Sequence, residues 1–180
     1  MKRSKKLLLL PFFLAAAWLG GCESTDPFSI PPPDFSTVPD PTPISGIEPV
    51  EIENGILAYV HEEGFGPYFV TARDDVSLYM TLRTDDGEII YSTFANSRTE
   101  PVLLSVRESG RLQNVFQFSI LQSFTPGLKA SLLGMKTGEK TTFQVSPEMG
   151  YQSAPSGSST AMFRENTLYY EIQISRIFPD

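Results

Sequence analysis

The chain has 180 residues, of which 41% are hydrophobic and 19% charged, so it can supply one compact domain and a tail. Its 14 basic and 21 acidic side chains give a formal net charge of −7, which becomes 10 − 21 = −11 once a leader with four basic residues is removed. An acidic chain of this kind is a poor nucleic-acid binder, because phosphate contacts need clustered Lys and Arg. One cysteine and one histidine exclude a disulfide scaffold and a Cys/His zinc site built by a single chain.

Residues 1–21 have the features of a secretory leader. Basic residues between positions 2 and 6 precede an apolar run at 7–19 and two glycines. The run is shorter than the roughly 20 residues of a membrane-spanning helix, so we expect the leader to be removed. Cys22 follows directly, and Leu-Gly-Gly-Cys resembles the lipobox of bacterial lipoproteins.

That resemblance implies that Cys22 carries acyl chains such as palmitate. Because each buried CH₂ contributes about 0.8 kcal/mol, several chains hold a soluble domain on a bilayer. The expected location is the bacterial cell envelope, on the periplasm-facing side of the inner or outer membrane, and Glu23 leaves that choice open. The alternative for Cys22 is an ordinary buried or free thiol.

Residues 22–50 lack the composition of a folded core. Eight of the fifteen prolines lie between Glu23 and Val50, with acidic residues and no Lys or Arg. Proline fixes φ and removes amide donors, so we expect a disordered, partly polyproline-II tether. At about 3.1 Å per residue it would hold the domain up to roughly 90 Å from the membrane. A Pro-x-x-Pro ligand is the alternative to a plain spacer.

Residues 51–180 form the predicted folded domain, in which apolar and polar side chains alternate along short segments. The alternation is clear at 76–83, 141–145 and 168–175, and it predicts strands with one buried face. Asp85-Asp86-Gly87 predicts a turn into a returning strand at 88–92.

One short helix is predicted between these strands. It opens at Pro126-Gly127, carries Leu128, Leu132 and Leu133 on one face, and ends near Gly134. A single helix among five or six antiparallel strands, without strand-helix-strand alternation, predicts an α+β fold: a curved antiparallel sheet wrapped around one short helix.

Three patterns that suggest other chemistries are better explained by turns and strands. The stretch 134–141 resembles a phosphate loop, but Glu139 intervenes before the lysine, so a helix-to-strand turn with Gly138 at positive φ is preferred. His61 is the only imidazole, and a hydrolase triad would have to use it within a predicted strand. The pairs Asp74-Asp75 and Asp85-Asp86 are expected to be solvated turn carboxylates.

Three stretches, in chain order, are similar to the FKBP-type peptidyl-prolyl cis-trans isomerases (rotamases). Residues 55–66 are close to the opening strand of that family, and residues 75–90 match its hairpin with a central Asp-Gly. The third stretch is the strongest, because it reproduces in order the family's helix start, Met-x-x-Gly turn, Pro-Glu-Leu-x-Tyr loop and closing strand. Its motifs are Phe124-Thr125-Pro126-Gly127-Leu128, Gly134-Met135-Lys136-Thr137-Gly138, Pro147-Glu148-Met149-Gly150-Tyr151 and Thr167-Leu168-Tyr169-Tyr170-Glu171-Ile172.

The resemblance implies an isomerase of X-Pro bonds that needs no cofactor, metal or nucleophile. The barrier to amide rotation is about 18–20 kcal/mol. A pocket that binds the twisted bond best lowers the barrier, with each 1.36 kcal/mol giving about tenfold in rate. The pocket takes the proline ring and removes water from the amide, while a hydroxyl holds a substrate carbonyl. The implied partners are proline-containing polypeptides and, through the anchor, the membrane, but no nucleic acid.

The family's site transfers to this sequence residue by residue. Tyr151 matches the carbonyl-binding tyrosine, and Tyr170 occupies the aromatic position of the last strand. Several positions depart from the family: Met80 replaces a tyrosine, Ile90 a phenylalanine, Leu128 a tryptophan and Tyr91 an aspartate, and Phe124-Thr125 stand where the family usually has Val-Ile. The implied substrate pocket comprises Met80, Ile90, Tyr91, Phe116, Phe124, Thr125, Leu128 and Met162.

Two assignments stay open within this transfer. Either Phe116 or Val102 supplies one pocket wall. If Val102 does not, the segment 101–106 is expected to be a strand inserted within 95–114. Either Met162 or Phe163 covers the site. At the level of function, a membrane-anchored folding helper with isomerase activity stands beside a catalytically weak or inactive peptide- or protein-binding module of the envelope.

Overall fold

The structure is a computed structural model that describes residues 31–107, 112–113 and 125–180. The predicted leader, Cys22, Phe116 and Phe124 lie outside these residues. In the described ranges, no helix has both the length and the apolar character that a membrane span requires.

Antiparallel strands dominate the described chain. In order they are β1 (Val50–Glu53), β2 (Ile56–Glu62), β3 (Phe65–Phe69), β4 (Asp75–Thr84), β5 (Ile89–Ser92), β6 (Val102–Ser105), β7 (Leu112–Gln113), β8 (Lys136–Thr137), β9 (Lys140–Val145) and β10 (Leu168–Phe178). The main sheet has the order β1-β2-β9-β10-β4-β6-β7, with β5 also on β4, and β3 pairs with β8 in a small second sheet. The helix α1 (Pro126–Leu132) lies between β7 and β8 in the chain. This arrangement confirms the predicted α+β fold.

Alternation along the two central strands builds the core. Val76, Leu78, Met80 and Leu82 of β4 are fully buried, and so are Leu168, Tyr170, Ile172 and Ile174 of β10. The register places Tyr170 opposite Leu82 and Ile172 opposite Met80, so both apolar sets share one face. We call this the inner face of the sheet and the opposite one the outer face.

Helix α1 supplies Leu128 and Leu132 to the same core. Gly127 permits its close approach to the sheet, because a Cβ there would lie 2.3 Å from Val145 Cγ1 and 2.8 Å from the Met149 carbonyl oxygen. The predicted turns are confirmed at Gly87 and Gly138, whose φ angles are +90° and +80°.

The segment 101–106 does contain a strand. Residues Val102–Ser105 form β6, which pairs antiparallel with β4 and places Val102 opposite Leu78. Val102 is 8% exposed and belongs to the core. Two residues were alternatives for the pocket wall. Val102 is a buried inner-face residue, and Phe116 lies outside the described residues.

A segment N-terminal to the predicted domain boundary at residue 51 is bonded to the sheet. The compact unit begins at Pro32, and residues 34–42, which we call the strap, make hydrogen bonds to the outer face and to the loop after β5. Arg83 donates to the Pro39 carbonyl at 2.6 Å, and the Thr42 amide donates to Glu171 at 3.2 Å. Proline removes amide donors but leaves carbonyl acceptors and the intervening polar residues free to bond, so a proline-rich segment can still be held on a surface.

Candidate active site

The inner face gathers the side chains that the resemblance selects. They come from four elements: Met80 from β4, Ile90 and Tyr91 from β5, Leu128 from α1 and Tyr170 from β10. All five, together with Tyr151 and Phe163, belong to one core cluster. Strand register explains part of this, since Leu82 of β4 lies opposite both Tyr170 and Tyr91. The described pocket residues are therefore buried, with the exception of Met162.

Thr125 connects the helix to the last strand through its hydroxyl. As the N-cap of α1 it accepts a hydrogen bond from the Leu128 amide at 3.0 Å. The same oxygen lies 2.9 Å from the Tyr170 hydroxyl, and Tyr170 is fully buried. Burial raises the pKa of Tyr170 well above its ordinary value, so its hydroxyl remains a neutral donor and acceptor.

Tyr151 has a hydroxyl group that makes no hydrogen bond to any of the described residues. The side chain is 6% exposed, and its buried oxygen makes no hydrogen bond within the described chain. Burial raises the pKa of Tyr151, and the neighbouring Tyr170 hydroxyl acts in the opposite direction without reaching hydrogen-bond geometry. An unmet buried hydroxyl costs about 1–3 kcal/mol. A carbonyl brought to Tyr151 would recover part of that cost, which makes this hydroxyl a ready donor for a ligand.

Tyr91 places a neutral phenol where the family has an aspartate. It is 3% exposed, and burial raises the pKa of Tyr91 to about 12. Together with Met80, Ile90 and Leu128 it belongs to the buried apolar core, and its hydroxyl stays protonated at neutral pH. These side chains suit an uncharged ring and do not suit proton transfer.

The covering residue is better assigned to Phe163 than to Met162. Phe163 is 5% exposed, and its ring centre lies 6.3 Å from that of Tyr151 at an interplanar angle of 42°. Met162 is 70% exposed. Both belong to the 3₁₀ turn Ala161–Phe163, in which neighbouring side chains diverge.

The outer face carries two cavities and a polar cluster. The cavities measure about 110 Å³ and 340 Å³, and both are lined by the strap region together with the sheet. Neither is lined by Tyr151 or Tyr170. His61 also lies on this side, 2.8 Å from Thr142 Oγ1, and burial lowers its pKa. His61 is therefore bonded to a strand residue on the face opposite the candidate site.

Comparison with known protein families decides the assignment. The model of the FKBP-type peptidyl-prolyl cis-trans isomerases matches residues 66–175, which is more than half of the chain. The chain belongs to this family. It carries an FKBP-type peptidyl-prolyl cis-trans isomerase domain. No curated protein matches the chain in a direct sequence comparison.

Solved structures agree on the FKBP fold. FkpA from Escherichia coli is 19% identical at a TM-score of 0.54 and matches over 75% of this chain and 53% of its own. A peptidyl-prolyl cis-trans isomerase from Pseudomonas syringae is 20% identical at a TM-score of 0.52, and the match covers 72% of this chain and 80% of that one. The structure of the three FKBP domains of wheat FKBP73 is 21% identical at a TM-score of 0.50, and the match covers 74% of this chain and 50% of that one. The chain thus aligns with about half of the wheat and E. coli chains.

Two features of this FKBP-type domain were not predicted from sequence. The Thr125 side chain acts as helix cap and strand contact, whereas the sequence placed Thr125 only among the pocket residues. The strap binds the outer face through Thr42 and Pro39. A threonine directly before Pro-Gly is a typical N-cap signal and could have indicated the first of these. The second has no local sequence signal.

Proposed function

We propose that this protein is a lipid-anchored, extracytoplasmic peptidyl-prolyl isomerase that assists the folding of proline-containing polypeptides at the bacterial cell envelope. The family assignment supports the reaction class. The position of Cys22 directly after a leader supports the anchor and the location. X-Pro isomerisation takes tens of seconds or more without catalysis, so proteins that fold outside the cytoplasm benefit from such an enzyme.

The observation that carries the catalytic proposal is the Tyr151 hydroxyl, which has no hydrogen-bond partner among the described residues and belongs to the same core cluster as the apolar pocket residues. The proline ring of a substrate would pack on Leu128, Met80 and Phe163, and its carbonyl would accept a hydrogen bond from Tyr151. Loss of water from the amide disfavours its polar planar form, and the hydroxyl holds one side of the bond while the other turns. Both effects stabilise the twisted state more than the ground state.

A weak or inactive binding module is the second candidate, and the burial of the site favours it. Met80 and Tyr170 are fully buried and Leu128 is 2% exposed. Replacement of the family's tryptophan by Leu128 also removes aromatic surface from the pocket floor. A module of this kind would bind proline segments without accelerating their rotation.

Two assays test the proposal. A protease-coupled isomerisation assay on an X-Pro peptide should show turnover by the full chain, and Leu128→Trp should increase it by restoring the floor. Peptide binding without turnover in either the wild type or Leu128→Trp would support the module instead.

The anchor is tested separately. Labelled palmitate should be incorporated and the protein should sediment with membranes, whereas Cys22→Ala should abolish both. Membrane association that persists in Cys22→Ala would contradict the anchor.

A further inference from the structure

Glu171 holds the strap on the outer face of the sheet. Its side chain is 19% exposed and accepts hydrogen bonds from both the amide and the hydroxyl of Thr42. Lys140 Nζ lies 3.1 Å from the same carboxylate and donates to Thr42 Oγ1 at 2.9 Å. Arg83 lies 4.0 Å from Glu171 and donates to the Pro39 carbonyl. One carboxylate thus organises two cations and a strap residue, with charge-assisted bonds that are stronger than neutral ones.

The other end of the strap is bonded to the loop that follows β5. The Asp34 amide donates to Asn96 Oδ1 at 2.9 Å, and the Asn96 amide returns a bond to the Asp34 carbonyl at 2.8 Å. Thr37 Oγ1 donates to the Phe94 carbonyl at 2.9 Å and accepts from the Ser97 amide at 3.1 Å. Four hydrogen bonds therefore tie the strap to residues 94–97.

This loop has a backbone conformation that needs outside support. Asn96 and Ser97 have φ angles of +57° and +59°, in the left-handed region that non-glycine residues rarely adopt. Such residues persist only where the surrounding structure holds them. Because the amides of both residues donate to the strap, the strap supplies that support.

The loop in turn borders the candidate site. It follows β5 directly, which carries Ile90 and Tyr91. Thr93 exchanges two hydrogen bonds with Met80, its amide to the Met80 carbonyl at 2.9 Å and its hydroxyl from the Met80 amide at 3.2 Å. The Phe94 ring stacks on Tyr79, with centres 5.5 Å apart. The position of the loop therefore fixes the adjoining end of the β4–β5 pair, which forms one wall of the site.

We propose that the strap is a positioning element of the isomerase site, and that Glu171 is the residue that fastens it. The strap lies outside the region that matches the family, residues 66–175, yet contacts residues within it. The catalytic half of this proposal rests on the proposed function, while the fastening half stands on the hydrogen bonds alone. Glu171 is a positioning residue and not a catalytic one, because it projects from β10 to the face opposite its neighbour Tyr170.

Hydrogen exchange and kinetics on the full chain test both halves. Glu171→Gln removes the charge that holds Thr42 and Lys140, and Thr42→Val removes the strap hydroxyl without leaving a new buried charge. Matched controls are Glu48→Gln and Thr99→Val, both at exposed positions. The amide of Val70, bonded to the Met135 carbonyl, serves as an internal reference.

The expected result is faster exchange at a distance from the substitution. The amides of Asn96 and Ser97 should exchange about tenfold faster in both variants, which corresponds to about 1.4 kcal/mol. Val70 should be unchanged, and both controls should resemble the wild type. The kcat/KM for an X-Pro peptide should fall about tenfold in both variants, mainly through a higher KM, because the site wall is displaced.

Three other outcomes overturn parts of the account separately. Unchanged exchange at Asn96 and Ser97 would refute the fastening role of Glu171. Faster exchange with unchanged isomerisation would refute the positioning role. A wild-type protein without isomerase activity would refute the proposed function, and the exchange rates would then still decide whether Glu171 fastens the strap.

Discussion

The bond between Thr125 and Tyr170 allows a quantitative test of how the helix is attached to the sheet. Tyr170→Phe removes one neutral buried hydrogen bond, while Thr125 keeps the Leu128 amide as a partner. We therefore expect a loss of about 1 kcal/mol in the free energy of unfolding. Thr125→Val removes the helix cap as well and leaves the fully buried Tyr170 hydroxyl without this partner, so its cost should be about 2–4 kcal/mol.

Urea unfolding of the two single variants and the double variant measures this. Because both residues share one hydrogen bond, the double variant should be less destabilised than the sum of the singles, by about 1 kcal/mol. The m-value should not change, since the surface exposed on unfolding stays the same. Additive effects would refute the argument, because they would mean that the two hydroxyls do not interact.

Three further predictions concern packing, charge and the cover of the site. Gly127→Ala should cost about 1–3 kcal/mol in thermal or urea unfolding, because the new Cβ would meet a side chain and a backbone oxygen; an unchanged stability would refute the close approach. Burial raises the pKa of Glu171, but hydrogen bonds from Thr42 and Lys140 outweigh it and lower that pKa below the ordinary 4.5. The carboxylate therefore stabilises the fold above about pH 4.5, and the difference between the wild type and Glu171→Gln should shrink as the pH falls below it, whereas a constant difference would contradict this. Phe163→Ala should weaken proline-peptide binding measured by calorimetry, and Met162→Ala should not; the reverse order would reinstate Met162 as the cover.

The elements that could be predicted from sequence are those whose local pattern reports their burial. The alternation at 76–83 and 168–175 corresponds to β4 and β10, because these strands bury their apolar face in the core. The helix was recognisable from Pro126 and the leucines that follow it. Strand β3 could not be recognised, since all of its residues are exposed and no alternation results.

The parts of the site that sequence could not give depend on distant partners. Thr125 and Tyr170 are 45 residues apart, and Thr42 and Glu171 are 129 apart. No spacing rule connects such pairs. The strap was missed for a related reason: its proline content describes the unbound chain, whereas its attachment depends on a carboxylate on β10. Composition alone therefore predicts a free tether where the fold provides a surface to hold it.

The most direct test of the central claim is the isomerisation rate of Tyr151→Phe. This substitution removes only the unpartnered hydroxyl and should leave stability equal or slightly higher, because no hydrogen bond in the described chain is lost. We predict that kcat/KM on an X-Pro peptide falls about tenfold or more, while the matched Tyr68→Phe, at a 67% exposed position, retains the wild-type rate. Equal rates for the wild type and Tyr151→Phe would contradict the account.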